Sequence, residues 1–181
     1  MLLEIDRENG YLYTERAGQG SIHRKPGRTM DYLIIGNGVA GNSAAEMIRR
    51  LDAGGAITIF SRSRHPFYYT PALPEYLCGE KELSRFTHHD FSWYEKNRVD
   101  FHPAEEVVSV DPASKTVRTA TGMVYRYERL LLATGGNATV PPVEGADLEG
   151  VFTLRTVEDA DRIRARAKVS KKVIVIGGGL L

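Results

Sequence analysis

A single cysteine, Cys78, stands among 181 residues. One thiol excludes an intrachain disulfide and a dithiol relay. Long apolar runs are missing as well, since none approaches the ~20 residues that a membrane-crossing helix needs. Charge of one sign is absent: 24 Lys and Arg stand against 23 Asp and Glu, for a formal charge of +1. That balance leaves no basic field for nucleic acid or an anionic membrane surface. The amino end, Met1-Leu-Leu-Glu-Ile-Asp6, has acids where a secretory signal carries bases, and no long apolar stretch follows. A cytoplasmic protein fits these absences. There is no repeat of fixed short period, no Ser within G-x-S-x-G and no Ser/His/Asp arrangement of a hydrolase. Hydrophobic content of 42% with 26% charged residues is that of a folded chain rather than a disordered one.

The order of patterns along the chain predicts an α/β fold. Residues 1–29 read as an N-terminal extension. Leu3–Asp6 and Tyr11–Thr14 alternate around Asn9-Gly10, a dipeptide suited to a type I′ turn, so a small hairpin is expected. Ala17–Thr29, rich in Gly and basic residues, reads as a linker. Tyr32–Ile35 has the apolar run of a strand buried on both faces. Ala40, Ala44, Met47, Ile48 and Leu51 then fall at helical spacing, with Glu46, Arg49 and Arg50 off that stripe. Gly54-Gly55 ends the helix and Ala56–Phe60 is the next strand, which implies a right-handed crossover and a parallel pair.

Prolines and glycines break Pro66–Gly79, and Phe91–Asn97 reads as a helix carrying Trp93 and Tyr94, expected as core residues. Val99–Phe101, Val107–Val110, Thr116–Thr119 and Met123–Tyr127 follow as short strands with turn residues between them, an antiparallel meander. Leu130–Thr134 is a buried-type strand that stops at Gly135-Gly136. These residues, 30–140, form the expected first part of a nucleotide-binding domain. Residues 141–170 read as a linker, marked by Pro141-Pro142, and a helix that Thr156 caps, with Glu158 and Asp159 at its positive end. Residues 171–181 read as a buried strand, Lys172–Ile176, leading into a second glycine loop at Gly177-Gly-Gly179. The whole is a Rossmann-like parallel sheet with a crossover helix plus an antiparallel meander, truncated in its last domain.

Gly36-Asn-Gly-Val-Ala-Gly41 matches G-x-G-x-x-G, and the flanking strand and amphipathic helix give the match its meaning. Gly36 permits the tight turn, Gly38 lets a pyrophosphate approach the backbone, and Gly41 lets the helix pack closely on the sheet. The first-turn N–H groups, around Val39 and Ala40, then face the anion. The acid that holds ribose hydroxyls in this motif is missing, and Ser61 and Arg62 stand there instead. Ser61 suits a ribose hydroxyl. Arg62 suits an adenine stack or a phosphate, and equally an ordinary surface position. Adjacent His88 and His89, with His102 beyond, match no usual zinc spacing, and on a strand adjacent side chains diverge, so no metal is expected. Phe67-Tyr68-Tyr69 suits either shielding a planar ligand ring or packing a loop. Cys78 is expected as a small half-buried apolar residue.

Two glycine loops separated by a meander and an Ala-Thr-Gly strand end are the layout of a two-nucleotide flavoenzyme. From about Met30 to Leu181 the chain resembles the FAD-dependent pyridine nucleotide-disulfide oxidoreductase superfamily. It is most similar to the branch of rubredoxin and ferredoxin reductases, NADH oxidases and the flavin portion of nitrite reductase. The resemblance runs through Ile34–Gly41, Tyr69–Leu77, Leu131–Gly135, Gly150–Thr156 and Val175–Leu181. It implies that the first loop holds the FAD pyrophosphate and that the second, with Gly177 and Gly179, holds NAD(P)H. It further implies that Val107 bonds the adenine through its backbone and that Ala133, Thr134 and Gly135 line the flavin side. The Thr70-Pro71 loop would pass the flavin edge, and Arg155 would lie near the flavin or the nicotinamide entry. Pro71 stands where the oxidases place a redox cysteine, so electrons are expected to pass from nicotinamide through FAD to a protein or small acceptor without a redox disulfide.

In the family a later segment completes the FAD domain and a third domain closes a homodimer. The chain therefore reads as a fragment of a longer enzyme, expected to be inactive alone and to bind FAD weakly. Two other readings stay open. One is a non-catalytic nucleotide-binding module for redox sensing or docking. The other is a plain NAD-dependent dehydrogenase, disfavoured by the meander and the Ala-Thr-Gly strand end.

Overall fold

The computed structural model describes residues 4–6, 11–13 and 30–177. Strands β1 (Glu4–Asp6) and β2 (Tyr11–Tyr13) pair antiparallel, Glu4 opposite Tyr13. That is the expected hairpin pairing, while its Asn9-Gly10 turn lies outside the described residues.

The chain divides into two compact units, residues 1–67 with 88–135, and residues 68–87 with 136–181. The first is built on β3 (Asp31–Ile35), α1 (Val39–Leu51) and β4 (Ala56–Phe60). β3 and β4 are parallel, with Ile34 opposite Ile59. In the second unit a 3-10 turn at Thr70–Ala72 runs into α2 (Leu73–Cys78). The chain returns to the first unit through α3 (Phe91–Lys96), capped by the Asp90 carboxylate, which accepts the Trp93 N–H at 3.0 Å.

Next come β5 (Val99–His102), β6 (Val107–Asp111), β7 (Thr116–Thr119), β8 (Val124–Arg126) and β9 (Arg129–Leu132). The parallel sheet has the order β5-β4-β3-β9, and β6, β7 and β8 form a separate antiparallel sheet. Val99–Phe101 was expected as the meander's first strand. Instead β5 lies parallel to β4, Val99 beside Ile57. Burial decides this: Val99 is buried in the core with Ile34, Ile57 and Ile59, a place the meander's solvated face does not offer.

Two-residue alternation gives the sheet two dry faces. Ile34, Ile57 and Ile59 meet Ala45 of α1 and Tyr94 of α3 on one side. Leu33, Ile35 and Phe60 meet Val117, with Val107 and Tyr125 packed alongside, on the other. The unit is therefore three layers: helices, parallel sheet, meander. The α1 stripe is shifted from the expected one. Gly41, Asn42 and Ala45 are buried, with Ala44 and Ile48 packed beside them, while Met47 and Leu51 are 48% and 54% exposed. Close packing of Gly41 on the sheet sets the helix rotation and turns Asn42 inward.

The second unit has a smaller core of Tyr68, Ala72, Leu73, Phe86 and Val157. Its helix α4 (Val157–Ala167) starts with a capping box. The Thr156 hydroxyl accepts the Asp159 N–H at 3.1 Å, and the Asp159 carboxylate accepts the Thr156 N–H at 2.9 Å. Both orphan donors are thereby satisfied. Cys78 is exposed rather than half-buried. It closes α2 on the side away from buried Leu73, five residues and well over a third of a helical turn apart in angle. Lys172–Ile176, expected as a buried strand, pairs with no strand among the described residues, and Ile174 is 88% exposed. An apolar β-branched run forms a strand only where a neighbour takes up its hydrogen bonds. No helix among the described residues is long and apolar enough to cross a membrane.

Candidate functional site

The glycine loop leaves the carboxyl end of β3, where the strand order reverses. β4 follows through α1 on one side of β3, and β9 arrives on the other. In open α/β sheets the crevice outside the strand ends at such a switch point is where nucleotides bind. Gly36 donates its N–H to the Phe60 carbonyl at 2.9 Å, and Ala133 donates to the Ile35 carbonyl at 2.8 Å, so loop and β9 end are tied to one sheet edge.

Each glycine of the motif has its own reason. Gly36 has φ +117°, and a Cβ there would stand 2.1 Å from the Ala133 carbonyl oxygen. A Cβ on Gly41 would stand 2.0 Å from the Gly36 carbonyl oxygen, so only hydrogen lets helix and loop meet. Gly38 differs: a Cβ would meet nothing within 4 Å. Its missing side chain serves no contact within the protein and leaves open space at the helix start.

That space suits an anion. Gly38 caps α1 without a side-chain bond, and no acidic residue occupies the first turn. Among the described residues no acceptor meets the N–H groups of Val39, Ala40 and Gly41, whereas the Asn42 N–H already donates to the Gly38 carbonyl. Unpaired N–H groups and the positive end of the helix dipole converge there. The residues present fit a dinucleotide pyrophosphate.

A buried polar network beneath the loop was not foreseen. Asn42 donates through its amide to Asn37 Oδ1 at 2.9 Å and to the Gly38 carbonyl at 3.0 Å. The Tyr94 hydroxyl lies 2.9 Å from Asn37 Oδ1 and 3.2 Å from Asn42 Oδ1, and accepts the Phe67 N–H at 3.1 Å. Burial pushes the Tyr94 phenol above its usual range, so it stays a neutral donor. The network fixes the loop's shape from below. Its sequence signal was Asn42 itself, a polar residue one step past the glycines on the helix face that packs on the sheet.

The other expected residues are distributed as follows. Ala133, Thr134 and Gly135 follow β9 at the same strand-end edge, with Gly135 at φ +65°. Ser61 is buried at the end of β4, and its hydroxyl accepts the Ser63 N–H at 3.2 Å. Arg62 is exposed and lies 3.9 Å from Glu106. Val107 opens β6 opposite Thr119, beside a register shift. In the second unit Thr70 and Pro71 start the 3-10 turn before α2. The Arg155 N–H donates to Asp159 at 3.0 Å, just ahead of α4. Gly177 has φ +102° with open space around it, and Gly179 lies outside the described residues. Of the aromatic trio, Phe67 and Tyr68 are buried and pack within their own units, while Tyr69 is exposed. Tyr94 is core and Trp93 packs against it.

The description of the pyridine nucleotide-disulphide oxidoreductase family matches residues 30–181. The chain belongs to this family. A nitrite reductase [NAD(P)H] of Bacillus subtilis (strain 168) is 39% identical over 150 residues, covering 82% of this chain and 19% of that protein. A rubredoxin-NAD(+) reductase of Pseudomonas putida is 35% identical over 153 residues, covering 84% and 40%. Among solved structures, NADH:rubredoxin oxidoreductase from Clostridium acetobutylicum matches with a TM-score of 0.75 at 32% identity, over 84% of this chain and 39% of that one. The chain thus spans well under half the length of these relatives. The family is one of FAD-containing NAD(P)H oxidoreductases, which sets aside a plain NAD-dependent dehydrogenase.

Proposed function

We propose that the chain is the FAD-binding portion of a cytoplasmic NAD(P)H-dependent flavin oxidoreductase. Electrons would pass from nicotinamide through FAD to a protein or small acceptor, without a redox disulfide. The observation that carries this reading is the open space at Gly38, set over free N–H groups at the switch point of the parallel sheet.

Bound FAD would supply the chemistry, accepting two electrons from the nicotinamide and releasing them to the next carrier. The chain's own work is binding and orientation. Val39, Ala40 and Gly41 offer N–H donors to the pyrophosphate, and Gly36 and Gly41 allow the loop that aims them. Val107 would hold the adenine through its backbone, and Ala133, Thr134 and Gly135 would line the flavin side. Ser61 already bonds Ser63, so its role for a ribose would require sharing its hydroxyl. Arg62 is positioned as a solvent-facing side chain with Glu106 near it, which favours a surface role over an adenine stack. The assignments of Thr70, Pro71, Arg155, Gly177 and Gly179 rest on the family resemblance alone. Pro71, standing where the resembling oxidases place a redox cysteine, supports electron passage without a disulfide.

Reconstitution tests the reading. The intact enzyme of which this chain is the FAD-binding portion is incubated with FAD, freed of excess and examined for flavin absorbance, then for NADH oxidation with a dye acceptor. Retained flavin with dye reduction is expected. Retained flavin without dye reduction indicates a non-catalytic module, and no retained flavin sinks the proposal.

A further inference from the structure

His88 and His89 stand on no strand. They occupy a turn before Asp90, and their rings lie side by side, 4.8 Å between centroids. His89 is 5% exposed and stacks flat on Trp93, ring centroids 3.7 Å apart. Its protonation pattern follows from its neighbour. Asn42 commits its amide hydrogens to Asn37 and to the Gly38 carbonyl, so its oxygen must be what faces His89 Nδ1 at 3.1 Å. Nδ1 therefore carries a hydrogen and donates it. The other nitrogen, Nε2, lies 3.0 Å from the Glu46 carboxylate. Two lone pairs at that distance need a cation between them, either a proton on Nε2 or a metal ion.

We propose that Glu46, His88 and His89 form a divalent transition-metal site of the zinc type. One donor atom from each of the three lies within 4.8 Å of the others. A proton would use only two of these donors, whereas a metal uses all three. Two imidazoles and a carboxylate form a zinc ligand set that leaves a position for water. The His89 Nδ1–H bond to Asn42 is the outer partner that fixes a ligating imidazole's tautomer and direction.

Metal bonds of about 2.0–2.2 Å require the donors to close in, and His88, the exposed one of the three, is the side chain that would move. Arg50 lies 4.0 Å from the second Glu46 oxygen but is 73% exposed, so water can replace that contact. Bound metal would clamp Asn42 through His89 and so stiffen the glycine loop.

Chelator-treated full chain titrated with Zn²⁺ by calorimetry, and with Co²⁺ by visible absorbance, tests the site. One ion per chain with a micromolar or tighter dissociation constant is expected. Glu46→Gln and His88→Ala should each weaken binding by roughly tenfold or more, and His102→Ala should leave it unchanged. Both ligand variants alter exposed or half-exposed side chains, and circular dichroism checks that each is folded. Absence of saturable binding by the unaltered chain overturns the proposal, because it leaves only a proton between His89 and Glu46. Binding unchanged in either ligand variant overturns it as well.

Discussion

Gly36 and Gly177 each follow an apolar run and have opposite surroundings. Gly36 and Gly177 both sit at positive φ, +117° and +102°. Around Gly36 there is no spare room: Ala133 closes one side and Gly41 the other. Around Gly177 there is open space, and the apolar run before it is exposed. Gly36 stands between a strand and a helix, whereas among the described residues Gly177 has neither beside it.

The sharpest break of that comparison is a single methyl group. Gly41→Ala should abolish the native first unit or destabilise it by roughly 4 kcal/mol or more, since backbone rather than a movable side chain meets the new Cβ. Gly177→Ala should leave the melting temperature unchanged, because an unpacked segment relaxes around its own strain. Equal effects of the two in thermal unfolding would erase the distinction. Next in size, Asn42→Ala should cost about 2–4 kcal/mol in urea denaturation, as the Gly38 carbonyl, Asn37, Tyr94 and His89 lose a shared partner.

Smaller effects fall in the second unit. Thr156→Ala removes the hydroxyl cap of α4 and should cost about 1 kcal/mol. Asp159 is held below the usual carboxylate range. Burial opposes this, but Arg162, the N–H groups of Arg155 and Thr156, and the Thr156 hydroxyl outweigh it. Its contribution is therefore complete above the unfolded value near pH 4 and is lost as pH falls through the lower folded value. Asp159→Asn should flatten that acid limb in a pH series of helix content. Smallest of all, Arg62→Ala should change stability by no more than about 0.5 kcal/mol, since its pairing with Glu106 is long and exposed.

Legibility in the sequence followed the same contrast. The elements β3, α1 and β4 were readable from local pattern, though the buried face of α1 was not, since Gly41 packing on the sheet turns that helix. Val99–Phe101 was misplaced because three residues pair equally well in a meander or beside β4, and only burial of Val99 decides. Lys172–Ile176 has a strand's composition but no strand beside it among the described residues. Asn42, Tyr94 and His89 were missed as a group. They come from separate parts of the chain, and nothing local announces that a tyrosine 52 residues from an asparagine shares its oxygen. His88 and His89 were judged by strand geometry, which does not apply on the turn they occupy.

The central claim is that Gly38 is glycine for a ligand and not for the protein. FAD titration of Gly38→Ala against the unaltered chain, with thermal unfolding of both, tests it directly. The account predicts an unchanged melting temperature and FAD affinity weakened by roughly tenfold or more, about 1.4 kcal/mol. Equal FAD affinity in the two proteins, or no saturable FAD binding by either, would contradict it.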